Sequence, residues 1–286
     1  MRALKIYEFK RGRDVRASLN VGHRKMLEDW ADVWVKRQAR YKISGDELIV
    51  EDNLWLDGHK DLTVLPDNLL VEGHLDLSRT GIRELPKNLS VYKSLHITGT
   101  DVETVPADLT VGGSLILDYS KVKSLPPGMG IPYMLKARHA KNLKSLPKGM
   151  VMRSLDARDS GLTGLPDDIV IDSDIHLSNT EIDRLPGGMT RVRGDLDMHT
   201  CPIERLPPGL TSIEGNLYLG NSGIVELPEN LYVHGDLVLD GCPIAALPPG
   251  LRVSGVLYIE NTGIRELPED LVVKSGHILG DLGATQ

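Results

Sequence analysis

The sequence predicts a repeat solenoid, mainly β, with an N-terminal α-helical cap. Three observations carry that expectation. Leu-Pro, or once Val-Pro, recurs with proline at 66, 86, 106, 126, 147, 166, 186, 207, 228, 248 and 268, at spacings of 19 to 21 residues. Around each proline the chain repeats the pattern L-x-L-x-x-T-x-I-x-x-L-P-x-x-L-x-V-x-G-x, as in GNLYLGNSGIVELPENLYVHGDLVLDGCPIAALPPGL. Ahead of the first copy, His23–Arg40 (HRKMLEDWADVWVKRQAR) has helical rather than strand periodicity. A fixed period of this kind marks stacked units, none of which can bury its apolar residues alone.

Residues 1–51 read as the cap. LKIYEF alternates like a short strand, and a helix is expected over about 23–40. That helix gathers Met26, Leu27, Trp30, Ala31, Val33 and Trp34 on one broad face, with basic residues in its last turn, where the helix dipole favours them. A solenoid end exposes apolar coil edges, so the expected role is to cover the first coil. Glu28, Asp29 and Asp32 on the polar face argue against the rival role, a basic helix lying on anionic lipid. Residues 1–44 hold 12 Lys/Arg and 5 Asp/Glu, a balance of 12 − 5 = +7, whereas the whole chain carries −7. The rest therefore carries −14, a basic cap on an acidic body.

Residues 52–279 read as about eleven coils and 280–286 as a tail. In each coil L-x-L points two side chains inward and one outward, which is a short strand. The proline after I-x-x-L has no N–H to donate, so the return side is expected to be a polyproline-like arc rather than a second sheet. The core must be aliphatic, since the chain has a single phenylalanine, Phe9, against 29 glycines and 17 prolines. No run of about 18 apolar residues is present, which argues against a membrane-spanning helix. MRALKIYEFKRGRDV lacks the apolar stretch of a cleavable secretory signal.

These repeats resemble the short, 20-residue, proline-marked class of leucine-rich repeat, and are similar to the repeat domains of bacterial type III effectors and to repeat proteins of bacteria and their phages. The resemblance implies a horseshoe with parallel strands on its concave side and a polyproline-like convex side. It also implies a host protein as target, met in a host cell's cytoplasm if the chain is exported. The chain itself is expected to be a non-enzymatic, cytoplasmic protein-binding module, with a monomer the expectation where the sequence does not fix the oligomeric state. Some effectors with similar repeats append a ubiquitin ligase domain with a catalytic cysteine, but here the repeats leave no residues for one. The chain departs from the family at the slot after the strand. Where Asn or Cys is usual, it has Thr80, Thr100, Ser120, Ser160, Thr180, Cys201, Ser222, Cys242 and Thr262, whose hydroxyls are expected to bond the neighbouring coil's backbone. Cys201 and Cys242 lie two coils apart, roughly 9–10 Å, too far for a disulfide. They are expected to be reduced, buried and structural, as in an intracellular protein.

The outward strand position of each coil forms a column: Trp55, Asp76, His96, Ile116, Lys136, Asp156, His176, Asp197, Tyr218, Val238 and Tyr258. Large amphipathic side chains in such positions suit a binding face, although cross-strand pairing within the sheet also favours them. Midway, LKARHAKNLKSLPKGMVMRSLDARDS breaks the pattern. The second inward leucine becomes Ala137 and Ala157, Tyr133 and Arg153 replace the usual glycine, and Lys136, Arg138, Lys141, Lys144, Lys148, Arg153 and Arg158 face only Asp156 and Asp159. Met134, Met150 and Met152 are available to repack around the alanines. The functional expectation is a basic notch built on Lys136, Arg138, Arg153 and Arg158, suited to an acidic or phosphorylated partner segment. With Trp55, His96, Ile116, His176, Tyr218 and Tyr258 these residues make up the candidate partner-binding surface.

Catalytic patterns are absent: there is no G-x-x-x-x-G-K-[ST], G-x-S-x-G or H-E-x-x-H. His96 and His176, four coils apart, cannot share a metal ion, and Asp197 beside His199 reads as surface decoration. No cofactor is expected. The short notch in acidic surroundings lacks the long basic stripe of a nucleic-acid binder. Two other functions fit the same residues: a sponge for a small phosphorylated ligand at Lys136, Arg138 and Arg158, and a scaffold that binds through its basic cap.

Overall fold

A computed structural model describes residues 16–280 and 282, so LKIYEF lies outside the described residues. The described residues form a solenoid of parallel strands behind a single helix, α1 (Arg16–Trp34). The helix starts and stops earlier than the periodicity predicts. Its buried stripe is Leu27, Ala31 and Val35 flanked by half-buried Trp30 and Trp34, whereas Met26 and Val33 stay exposed. Lys36, Arg37 and Arg40 fall beyond its last turn, where Gln38 donates its side-chain amide to the Trp34 carbonyl. The helix docks on the first coil, with the Trp30 indole N–H bonding the Val64 carbonyl at 3.2 Å and Trp34 meeting His59 edge-on.

Next comes an antiparallel hairpin absent from the sequence expectation, β1 (Tyr41–Ser44) and β2 (Glu47–Val50). Gly45 takes φ +65° at the first of its two turn residues, the position glycine holds in a type II′ turn. β2 pairs in parallel with Leu69–Val71 and so starts a lateral ladder that continues through Ser90–Val91 to Thr110–Val111. A second lateral ladder runs from Arg191–Val192 to Val272–Val273. Both are built on the x-V pair ahead of the bend, a strand signal too short to read. Among the described residues the proline side carries only isolated bridges, Thr104 to Ser124 and Arg205 to Glu226, in keeping with its missing N–H groups.

The L-x-L segments make the main sheet, 13-stranded, running from Leu54–Trp55 to Ile278–Leu279, with Val170–Ile171 joined off its path. The inward leucines, isoleucines and valines are almost all fully buried. At the first edge the Trp55 backbone N–H has no preceding coil and donates to Gln38 Oε1 instead. In the irregular region the lateral and main strands fuse into single six-residue strands, Ile131–Lys136 and Val151–Asp156. Ala137 and Ala157 are fully buried there, with Met150 and Met152 in the core beside them and Met134 half-buried on the face.

The slot after the strand corrects one expectation. Thr80, Thr100, Thr180 and Thr262 turn their hydroxyls back to carbonyls of their own coil, three residues earlier. The thiols are what reach across: Cys201 Sγ contacts the Leu177 carbonyl and Cys242 Sγ the Leu219 carbonyl of the preceding coil. Both cysteines are free and buried, and burial pushes both thiols up from their ordinary range, away from the reactive thiolate.

Candidate functional site

Side chains on the main sheet face fall into three columns. The outer one, at the position before each strand, is a hydrogen-bonded rail. Asn53 Oδ1 accepts the His74 N–H, and His74 Nδ1 accepts that of Ser94, whose hydroxyl accepts that of Ser114. The rail resumes with Asp174 Oδ1 accepting the Asp195 N–H, then Asp195 and Asn216 accepting in turn, and Asp236 Oδ1 accepting that of Val256. The glycine one residue earlier in the next coil makes room for each Asn or Asp rung. A Cβ on Gly73, Gly194, Gly215, Gly235 or Gly255 would fall 2.1–2.4 Å from the rung's Oδ1. Where Tyr133 and Arg153 replace glycine, the preceding rungs are Ser114 and Met134, and fused strands do the pairing instead.

The middle column holds most of the residues singled out in the sequence. Trp55 is 47 % exposed and stacks on His74. From there the cross-strand neighbours run Asp76, His96, Ile116, Lys136, Asp156, His176, Asp197, Tyr218, Val238, Tyr258 and Leu279. Through the centre basic and acidic side chains alternate, Lys136 against Asp156 against His176 against Asp197. Such pairs stabilise a sheet as well as a contact. His176 Nδ1 is buried without a hydrogen bond, since Asp197 Oδ2 lies 3.9 Å away. Asp197 spends its other oxygen on the His199 backbone N–H, so its carboxylate is not held against the imidazole.

The third column changes the reading of the notch. Asp118, from the coil before the irregular stretch and absent from the sequence reading, is buried and accepts the Arg138 backbone N–H at 2.8 Å and its guanidinium at 2.8 and 3.1 Å. Arg158 grips the buried Asp156 in a fork at 2.8 and 2.9 Å. Burial alone would push the Asp156 carboxyl up, but the bond and charge of Arg158 outweigh it and hold the group below its ordinary value. Lys136 Nζ stands 3.9 Å from Asp118. Two of the three cations are therefore spent within the protein. Lys141, Lys144 and Lys148 are exposed outside the strands, and Arg153 stands on the rim beside Val151, Val170 and Arg193.

The remaining candidates separate. Tyr218 and Tyr258 lie two strands apart, half-buried, with Val238 between them. Burial raises the Tyr218 hydroxyl's pKa, and the negative charges of Asp195, Asp236 and Asp197 raise it further. Trp55 sits at the opposite end, against the cap. The described residues contain no cluster of His, Cys, Asp and Glu able to hold a metal, and no helix long and apolar enough to cross a membrane.

No family model and no curated protein sequence matches the chain. Among solved structures it is similar to YopM from Yersinia enterocolitica WA-314, at 19 % identity and a TM-score of 0.42, over 94 % of this chain and 61 % of that one. It is also similar to YopM from Yersinia pestis, described as a leucine-rich effector protein, at 18 % identity and a TM-score of 0.36, over 76 % of each chain. The chain thus spans under two thirds of the length of the first of these.

Proposed function

We propose that this protein is a non-enzymatic repeat module that recognises another protein through the face of its main sheet. The observation that supports it is the set of half-exposed, register-locked side chains Trp55, Ile116, Tyr218 and Tyr258 on that face. The backbones of Ile116, Tyr218 and Tyr258 are held from both sides by neighbouring coils, and that of Trp55 by the next coil and the Gln38 side chain, so little order remains to be imposed on binding. Large aromatic anchors on a rigid platform are the residue type that dominates interface energetics. His96, Lys136 and His176 contribute polar contacts between these anchors. Arg138 and Arg158 act as braces, because their charge is spent on Asp118 and Asp156, and Arg153 borders the face at its rim. That expenditure speaks against a sponge for small anions. We take the module to act in a reducing compartment such as cytoplasm, on the strength of its two free, buried thiols.

The test is affinity capture from cell extract on three proteins: wild type, a face variant (Trp55→Ala, Ile116→Ala, Tyr218→Ala), and an opposite-side control (Lys123→Ala, Arg205→Ala). Circular dichroism and melting establish that all three fold. The expected result is one partner retained by wild type and control and reduced at least tenfold on the face variant. Equal retention on all three would overturn the reading.

A further inference from the structure

Resting on that reading, we propose that the C-terminal half of the face is the docking surface for a lysine- or arginine-rich extended segment of the partner. The face is electrically divided. Its four strand segments Asp195–His199, Asn216–Gly220, Asp236–Asp240 and Val256–Glu260 carry five carboxylates and no Lys or Arg. The two central segments, Met134–Arg138 and Ser154–Arg158, carry three cations and one carboxylate. Elsewhere charges find partners at short range: Arg138 and Arg158 on the face, and Arg191 with Glu214, Arg193 with Asp172 and Arg205 with Glu226 off it. Among the described residues, none of these five carboxylates is ion-paired with a Lys or Arg.

Their orientation is fixed as well. Asp195, Asp197 and Asp236 each tie Oδ1 to a backbone N–H, and these bonds leave Oδ2 unused. Among the carboxylates stand Tyr218 and Tyr258, with Val238 between them in the register. A cation passing along this strip meets fixed carboxylate oxygens and aromatic faces together, the surroundings that attract guanidinium and ammonium groups most strongly. Four strands at about 4.8 Å spacing span roughly 14 Å, the reach of four or five residues of extended chain. An acidic segment would be repelled along the same strip, and a purely apolar one would leave five carboxylates desolvated without partners.

The probes are three synthetic ten-residue peptides, lysine/arginine-rich, glutamate-rich and neutral, with matched aromatic content. Binding is followed by fluorescence anisotropy at low and physiological salt. The full-length variant Asp195→Asn, Asp197→Asn, Asp236→Asn removes three charges yet keeps an amide oxygen at each position, as the natural rung Asn216 does. The expected result is binding of the basic peptide only, weakened at least tenfold in this variant and by salt, and unchanged in Lys123→Gln on the opposite side. Equal binding of all three peptides, no binding of the basic one, or equal affinity in wild type and variant would each overturn the proposal. If the basic peptide fails while the face variant still loses its captured partner, the face binds a partner of other chemistry. If both fail, the face reading falls with it.

Discussion

Most coils on either side of residues 131–160 turn from the lateral to the main strand on a glycine and a rung from the previous coil, although Lys93 and Ser173 stand at the glycine corner in two of them. The two central coils use neither. They run straight through as six-residue strands, pair their own N–H groups, and spend the space on Tyr133 and Arg153 at the rim and on Arg138, Arg158, Asp118 and Asp156 on the face. The same backbone donors are satisfied in both regions, once by side chains and once by strand pairing. The irregular stretch is therefore a change of local solution with an ionic brace laid over it, and the free charge lies elsewhere, on the strip around Tyr218.

The sharpest way to break this comparison is to put a Cβ where the regular solution forbids one. Gly194→Ala places that atom 2.1 Å from Asp174 Oδ1. The carboxylate must swing away, and the Asp195 N–H loses its acceptor. Overpacking and a stranded donor, at about 1–3 kcal/mol each, predict a loss near 4 kcal/mol in chemical denaturation. In an Asp174→Ala background the same substitution should cost at least about 1 kcal/mol less, since the carboxylate is gone and only the Asp174 backbone N, 2.9 Å away, still crowds the added atom. Arg153→Gly in the central region should cost about 1 kcal/mol or less, because no rung depends on that corner. Equal costs at 194 and 153 would show that the two corners do not differ in kind.

Removing the brace tests the other side. Asp156→Ala leaves Arg158 without its fork and should cost about 3 kcal/mol, at the low end for stranding a paired charge, because the Arg158 side chain is 39 % exposed. The pH dependence follows from the direction of the Asp156 shift. Its folded pKa lies below its unfolded one, so its contribution is fully present above about pH 4, the unfolded value, and is lost as the pH falls through the folded value. Wild type should therefore lose Tm more steeply than Asp156→Asn below about pH 4, and the two should run parallel above pH 5. Parallel curves throughout would mean that Asp156 adds nothing to acid sensitivity.

What could be read in advance follows the range of the physics. The period, the L-x-L strands, the aliphatic core and the free cysteines are local patterns repeated many times, and each was legible. The hairpin is written in YKISGDELIV with its Gly-Asp turn, but no strand is expected between the helix ending near residue 40 and the first coil at 52. The partner of Arg138 was not legible from its own stretch: Asp118 is 20 residues away, and only the parallel register brings it alongside. The rail lay between these cases. Asn53 with Gly73, Asp174 with Gly194, and Asp195 with Gly215 are a pairing one coil apart, visible once the coil is known to close with the rung of one turn beneath the corner of the next.

The smallest effect concerns a feature common to both regions. Each coil passes through a left-handed residue just before the slot that holds Thr80 or Cys201, at φ between 55° and 58° in Arg79, Tyr119, His139, Asp159, Asn179, Thr200, Asn221 and Asn261. Asparagine tolerates that conformation, but a β-branched residue is strained there. Thr200, at φ 58°, is the β-branched case, and its hydroxyl shares its one hydrogen between Asn179 Oδ1 and the His199 carbonyl. Thr200→Asn relieves the strain and keeps a polar side chain over Asn179, so it should raise stability by about 0.5–1 kcal/mol. Asn179→Thr should lower it by a similar amount. A Tm that falls for Thr200→Asn would show that the hydroxyl bonds to Asn179 and His199 outweigh the backbone strain, making Thr200 a brace of the same kind as Arg158.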